Sequence, residues 1–160
     1  MKRKWMRFLL ITLSIAVLTV STAVLTGCAP KFKAIIYEQV SINPEFEFVS
    51  KAFLLTNVNE VEHHVQTYRT DESTQPYYEE LKTNYGDEFF KKNNLVVLYY
   101  FDETISSKIT VKGIQYDGET VTVLLSRSVP KYCSQQVKEC VIVVETEKNA
   151  KIASADYRVN

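Results

Sequence analysis

Residues 95–101 read Leu-Val-Val-Leu-Tyr-Tyr-Phe, an unbroken apolar and aromatic run between Asn93-Asn94 and Asp102-Glu103. A run of this length without alternation, rich in β-branched and aromatic side chains, reads as a strand covered on both faces. It therefore belongs at the centre of a sheet. With 46% hydrophobic and 12% aromatic residues in the chain, there is enough apolar material to bury a core around it.

The segments that follow continue the β pattern. Residues 107–116 alternate, with Ile109, Val111 and Gly113 on one face and Thr110, Lys112, Ile114 and Tyr116 on the other. Asp117-Gly118 then gives the strongest short hairpin signal, a type I′ turn with both residues at positive φ. The partner strand, residues 119–129, sets Val121, Val123, Leu125 and Val129 opposite Thr120, Thr122, Ser126 and Ser128. Pro130 ends it, because proline cannot donate to a ladder. A polar loop over 131–138 leads to a strand at 140–147, and a turn at Asn149-Ala150 leads to a last strand over 151–158.

Before the central run the pattern is mixed. Residues 46–56 are β-like, and Asn57 with Glu60 forms a capping box that opens a helix through Tyr68. Val58, Val61, Val65 and Tyr68 share one face of that helix, which should lie on the sheet. Pro76 suits the first turn of a second helix, stopped by Gly86. Asp87 caps a short turn whose Phe89-Phe90 pair plugs the core beside the central strand. The fold expected is α+β: an antiparallel sheet curling toward a sandwich, with two or three short helices packed on one side.

The first 27 residues are an address. Lys2, Arg3, Lys4 and Arg7 precede an uncharged stretch over 8–25, a basic n-region followed by an apolar h-region. The stretch is long enough for a short transmembrane helix, so the residues after it decide. Leu25-Thr26-Gly27-Cys28 resembles the lipobox of bacterial lipoproteins, in which the cysteine is acylated and becomes the new N-terminus. Small side chains let a peptidase reach the backbone just before a thiol able to carry a thioether-linked lipid. The expected division is a signal peptide over 1–27, a lipidated Cys28 and tether over 28–45 with room for one short strand, and a single domain over 46–160. The expected location is the bacterial cell envelope, on the outer face of the cytoplasmic membrane or, in a two-membrane cell, the outer membrane. Two acyl chains anchor firmly, so membrane association asks for no apolar surface on the domain.

Removal of the leader takes away four basic residues and no acidic ones, leaving 15 basic against 19 acidic groups, a net of −4. Such a chain is a poor ligand for phosphates, and no nucleic-acid partner is expected. Four glycines in all, Gly27, Gly86, Gly113 and Gly118, exclude a phosphate cradle that needs two or three of them close together. Cys133 and Cys140 remain as an even pair outside the cytoplasm, where disulfides persist. Joining them closes a short loop, contributing about 2.5 kcal/mol in the chain-entropy model. A disulfide is the expectation, with two free thiols as the alternative.

The order of parts carries a likeness. A strand-to-helix unit, then the segment Tyr85-Gly86-Asp87-Glu88-Phe89-Phe90-Lys91-Lys92-Asn93-Asn94-Leu95-Val96-Val97-Leu98, then a hairpin on Asp117-Gly118 and a strand after a cysteine-bearing loop, resembles the C-terminal domain of the PrcB family over about residues 52–150. The resemblance implies an envelope lipoprotein acting as a protease complex subunit. The family's Gly-Gly-Tyr-type segment after the central strand is replaced here by Thr104-Ile105-Ser106-Ser107-Lys108, and no functional residue is carried over.

Reactive constellations are sparse. Glu60 and His64 share a helix face, but His63 and His64 point about 100° apart on a helix and do not converge on one ion, so Glu60, Glu62, His63 and His64 read as a solvated helix face. No Gly-x-Ser-x-Gly elbow occurs in the sequence, and the neighbouring acids Asp71-Glu72, Glu79-Glu80 and Asp102-Glu103 read as solvated. The ten tyrosines fit half-buried sheet positions. No catalytic residue, metal site or cofactor is expected. The chain reads as a non-enzymatic, lipid-anchored protein-binding module, by family resemblance an accessory subunit or inhibitor of an extracytoplasmic protease. Its expected contact surface is the loop carrying Pro130, Lys131, Tyr132, Gln135 and Gln136. A small-ligand or glycan binder would show an exposed row of tyrosines, and an envelope hydrolase would show titratable groups converging in a pocket.

Overall fold

Residues 30–40, 49–68, 76–132 and 137–160 are described by a computed structural model of the chain. In chain order they form β1 (Phe32–Val40), β2 (Lys51–Leu55), α1 (Val58–Tyr68), α2 (Pro76–Asn84), α3 (Asp87–Phe90), β3 (Asn93–Asp102), β4 (Lys108–Asp117), β5 (Thr120–Ser128), β6 (Lys138–Glu147) and β7 (Ser154–Val159). The class is α+β. One sheet has the order β1-β6-β3-β2 and is antiparallel throughout, and the other has the order β4-β5-β7.

Three layers explain the continuous apolar run. Leu95, Val97 and Tyr99 of β3 face the helices and meet Val61, Val65, Tyr77, Leu81 and Phe90. Val96, Leu98 and Tyr100 face the second sheet and meet Ile109, Val121, Val123 and Leu125. β6, beside β3, divides in the same way, with Val141 and Val143 toward the helices and Cys140, Ile142 and Val144 between the sheets. Each fully buried aliphatic side chain contributes about 1.5–3 kcal/mol, so both faces of these strands stabilise the fold.

Two details of the hairpin differ from the expectation. Asp117 pairs with Thr120, so the turn residues are Gly118 and Glu119, and Gly118 alone has positive φ, at 58°. Glycine first with an ordinary residue second is the pattern of a type II′ turn rather than I′. The register also shifts between Val111, opposite Leu125, and Gly113, opposite Leu124. Lys112 is the extra residue of a β-bulge, which switches the inward face. The core set on β4 is therefore Ile109 and Val111 before the bulge, then Ile114 and Tyr116 after it.

The ends of the body also move. β1 pairs with β6 from Phe32 opposite Thr146 to Val40 opposite Lys138, so sheet structure begins well before residue 46, inside the stretch assigned to the tether. Residues 46–48 of the expected β-like segment lie outside the described residues, and β2 begins at Lys51. β7 runs parallel to β5, with Val121 opposite Ala155 and Val123 opposite Tyr157.

The helices follow their signals closely. The Glu60 N–H donates to Asn57 Oδ1 at 3.0 Å, while the Glu60 carboxylate accepts from the Thr56 N–H at 2.6 Å, one residue before the expected partner. At α3 the cap is Gly86 rather than Asp87, and no side chain caps it. Phe90 is buried in the helix-side core.

Candidate functional site

α1 leaves β2 after two residues and runs back beside it. The Phe53 ring of β2 lies 5.0 Å from the His64 ring and 4.8 Å from the Tyr68 ring, centre to centre. Between strand and helix lies a groove of about 420 Å³, lined by Phe53 and Leu55 from β2 and by Asn59, Glu60, His63, His64, Thr67 and Tyr68 from α1.

His64 forms part of its floor, contrary to the expectation of a solvated helix face. It is buried, and Nε2 sits 3.0 Å from the Tyr99 hydroxyl. The Tyr77 hydroxyl donates to that of Tyr99 at 3.3 Å, and the His64 and Tyr99 rings stack at 27°. Burial first, then the neighbouring His63, lowers the His64 pKa to about 4, so the imidazole is neutral at neutral pH. Burial likewise raises the Tyr77 and Tyr99 pKa values far above the ordinary phenol range. Glu60 is committed elsewhere: besides the Thr56 N–H, its Oε2 accepts from the Thr56 hydroxyl at 3.1 Å. Glu60 and His64 thus share a helix face without acting on one another. The chemistry available here is apolar and aromatic contact around the neutral His64 imidazole, with the exposed polar side chains of Asn59, His63 and Thr67 also lining the groove, which suits binding. The missed signal was in the sequence: His64 stands three residues after Val61 and four before Tyr68, on the apolar stripe itself.

A second cluster closes one end of the space between the sheets. Asp102 follows the inward parity of Val96, Leu98 and Tyr100, and Arg127 that of Val121, Val123 and Leu125. Arg127 Nε donates to Asp102 Oδ2 at 2.8 Å, and its terminal nitrogen donates to Oδ1 at 2.7 Å. The Ser107 hydroxyl and the Thr104 N–H also donate to the carboxylate, at 2.6 and 2.9 Å. Burial pushes the Asp102 pKa up, but the Arg127 fork with the Ser107 and Thr104 donors outweighs it, and the carboxyl lies below its usual value. Thr104 and Ser107 lie between β3 and β4, and they hold the crossing from one sheet to the other. Nearby, buried Lys138 donates to the Ser107 carbonyl at 2.5 Å and to Glu38 Oε1 at 3.1 Å. Every polar group in this cluster has a partner, so it ties the sheets together and leaves no group free to react.

Cys140 is a free, fully buried thiol on the inter-sheet face of β6, and burial raises its pKa to about 12. Such a thiol is a poor nucleophile. Cys133, its expected disulfide partner, lies outside the described residues, as do Gln135 and Gln136 of the expected contact loop and the lipobox residues Leu25, Thr26, Gly27 and Cys28. Of the remaining loop residues, Pro130 and Lys131 are exposed, and Tyr132 is 86% exposed with Lys131 Nζ 5.9 Å from its ring centre. Tyrosines follow their expectation in part: Tyr77, Tyr78, Tyr85, Tyr99 and Tyr100 are buried, three of them on or next to helices rather than in the sheet. No helix among the described residues is long and apolar enough to cross a membrane. Comparison of the chain with protein-family models, with curated proteins and with solved structures found no match.

Proposed function

We propose that the chain is a lipid-anchored protein of the bacterial envelope whose body binds another protein without catalysing a reaction. The address rests on the basic n-region, the apolar stretch and Leu25-Thr26-Gly27-Cys28. The binding half rests on one observation: an apolar groove with an aromatic floor lies open beside a short strand at the rim of the four-stranded sheet. Exposed Tyr132 beside Pro130 adds a second patch on the loop that enters β6. An extracytoplasmic protease is the partner class implied by the PrcB resemblance, with this chain as accessory subunit or inhibitor.

The reading has two tests. Intact mass of the membrane-extracted protein should show a chain beginning at Cys28 and carrying acyl groups, and Cys28→Ala should be neither trimmed at that bond nor acylated. A Cys28→Ala product trimmed at the same position overturns the address. Crosslinking in living cells, followed by detergent extraction, should repeatedly recover one envelope protein with the wild-type chain, and repeated recovery of none overturns the binding role.

A further inference from the structure

The start of β1 lies close in the chain to the cysteine proposed as the anchor. Phe32, the first residue of β1, follows Cys28 by four residue steps. An extended chain covers at most about 14 Å over that separation, and Pro30 stiffens it. An acylated Cys28 therefore holds one end of the body at the bilayer surface. That end gathers the start of β1, the end of β6 and the start of β3, with α3 beside them. At the opposite end, Val40 pairs with Lys138 and Lys138 with Asp102. The loop at 130–132 belongs to this far end, and nine residues of β1 put it about 27 Å from the near one.

The near end departs from the rest of the mature chain in charge, which overall has 15 basic against 19 acidic groups. Lys31, Lys92, Lys148 and Lys151 are exposed there, and the acids are Asp87, Glu88, Glu145 and Glu147. Two of those acids are taken: Lys33 holds Glu145 at 2.7 Å and Lys91 holds Glu88 at 2.5 Å. Lys148 Nζ donates to the Phe90 carbonyl at 2.6 Å, a neutral partner that leaves its charge uncompensated. The Lys148 N–H donates to the Lys92 carbonyl at 2.8 Å, which brings these two residues together. Asp117 and Glu119 lie at the hairpin tip of the second sheet, so the basic side is that of the four-stranded sheet. On that side Phe32 follows the inward parity of Ala34 and Ile36, yet it sits at the mouth of the inter-sheet space and is 37% exposed.

An exposed aromatic ring among uncompensated lysines, tied within about 14 Å of a bilayer, matches an anionic headgroup surface. Phosphates attract the lysines, and the ring enters the interface. A soluble protein partner would compete with the bilayer for a face that the anchor already presses toward it. We propose that this end of the body, through Lys31, Phe32, Lys92 and Lys148, docks on anionic phospholipid headgroups, so that β1 runs away from the membrane and the loop at 130–132 is displayed outward. This rests on the address proposed above and adds the orientation of the body and the lipid chemistry that sets it.

The one tryptophan of the sequence, Trp5, lies in the leader, so a single tryptophan placed in the mature chain reports from one position. The membrane-extracted chain, its acylation checked by intact mass, is reconstituted into vesicles of phosphatidylcholine alone or mixed equally with phosphatidylglycerol. The lipids are brominated on their acyl chains to quench nearby tryptophan. Phe32→Trp should lose roughly twofold more emission in the anionic vesicles than in the neutral ones. The excess should vanish at about 1 M salt, where charges act over only about 3 Å. Lys31→Glu with Lys92→Glu, added to Phe32→Trp, should also remove it. Lys108→Glu with Lys131→Glu, the same charge change on exposed residues of the far end, should not. Tyr132→Trp should keep its emission in both vesicles. Each variant is compared at unchanged circular dichroism, and the salt arm needs no charge variant at all. No excess in anionic vesicles, an excess that survives salt or the near-end reversal, or equal quenching of Tyr132→Trp overturns the docking while the address stands, because the sample is acylated. A membrane-extracted chain without acyl groups overturns the address and this orientation with it.

Discussion

Arg127 on the second sheet grips Asp102 on the first through two parallel hydrogen bonds, at 2.8 and 2.7 Å, beside the inward apolar and aromatic run of Val96, Leu98 and Tyr100 on β3 and of Val121, Val123 and Leu125 on β5. The Asp102 side chain is fully buried, while that of Arg127 is one third exposed. Removing one member of such a pair strands the other charge, whereas replacing both with apolar groups is often nearly neutral. Arg127→Ala should therefore destabilise by about 3 kcal/mol, the low end of the range because solvent reaches the guanidinium. Arg127→Lys should recover only part, since an ammonium lacks the fork, and Asp102→Leu with Arg127→Met should recover most. With a depressed folded-state pKa, Asp102 contributes stability above the ordinary aspartate range that is lost as pH falls through the folded value. Urea midpoints measured against pH should show this acid loss shrinking in Arg127→Ala.

His64 gives a separate pH signature. Its pKa of about 4 in the folded chain lies below the ordinary 6.5, so the unfolded chain takes up the proton first. Stability from the neutral ring is full above about pH 6.5, declines as pH falls toward 4, and levels off below, with a total loss of about 3 kcal/mol. His64→Gln keeps a polar group near the Tyr99 hydroxyl but does not titrate. Its urea-derived stability should change little between pH 6.5 and 4.5, apart from the carboxylate slope that wild type shares. A wild-type curve equally flat over that interval would refute the burial argument.

The strands were legible where one face pattern held from end to end. The run from Leu95 to Phe101 announced two covered faces, and the alternation of Val121, Val123 and Leu125 named the inward side of β5. What the sequence hid were events that break a period or depend on distant contacts. The bulge at Lys112 swaps faces in mid-strand; its only local marks were Gly113 beside it and the passage of apolar residues from the parity of Ile109 and Val111 to that of Ile114 and Tyr116. The parallel pairing of β7 with β5 and the long β1 are decided by which edges are open, a property of the assembled sheets. His64 and the Asp102–Arg127 pair were different, because each sat on an inward parity already identified. A charged or polar residue on an apolar stripe was the available signal for a buried partner.

Gly118 has a backbone that L side chains rarely adopt, with φ at 58°. Gly118→Ala should cost about 1 kcal/mol or more, and Gly118→Asn should recover little of it, because the first position of a type II′ turn favours glycine rather than the left-handed helical well that asparagine tolerates. Gly86 is a contrasting control: it caps α3 from extended backbone, with open space where a Cβ would lie. Gly86→Ser should be neutral or stabilising by a few tenths of a kcal/mol through a new cap bond. Thermal melts of the three variants test the ranking.

Lys112 tests the bulge by deletion. With the Gly118 turn fixed, removing one residue restores plain alternation and turns Ile109 and Val111 from the core toward solvent, while Ile114 and Tyr116 stay in place. Ile109 is only 4% exposed, so deletion should destabilise by about 2–4 kcal/mol, the range for losing a large buried side chain. Lys112→Ala, which keeps the register, should shift the melting temperature little. Similar effects from the two changes would mean that the bulge does not set the face.

Cys140 offers a chemical readout of the layer between the sheets. Its sulfur is fully buried and its pKa is about 12, so both access and thiolate fraction oppose alkylation in the folded chain. Iodoacetamide on the native, membrane-extracted protein should leave Cys140 unmodified, as read by peptide mass. In urea without reductant it should label fully, because the structure holds it as a free thiol. A peptide pair joining Cys133 to Cys140, lighter by two hydrogens and resistant until reductant is added, would instead establish the disulfide that compartment and spacing suggest. That outcome requires the thiol to leave its place beside Ile142 and Val144, so it would also lower the protection of neighbouring β6 amides from hydrogen exchange.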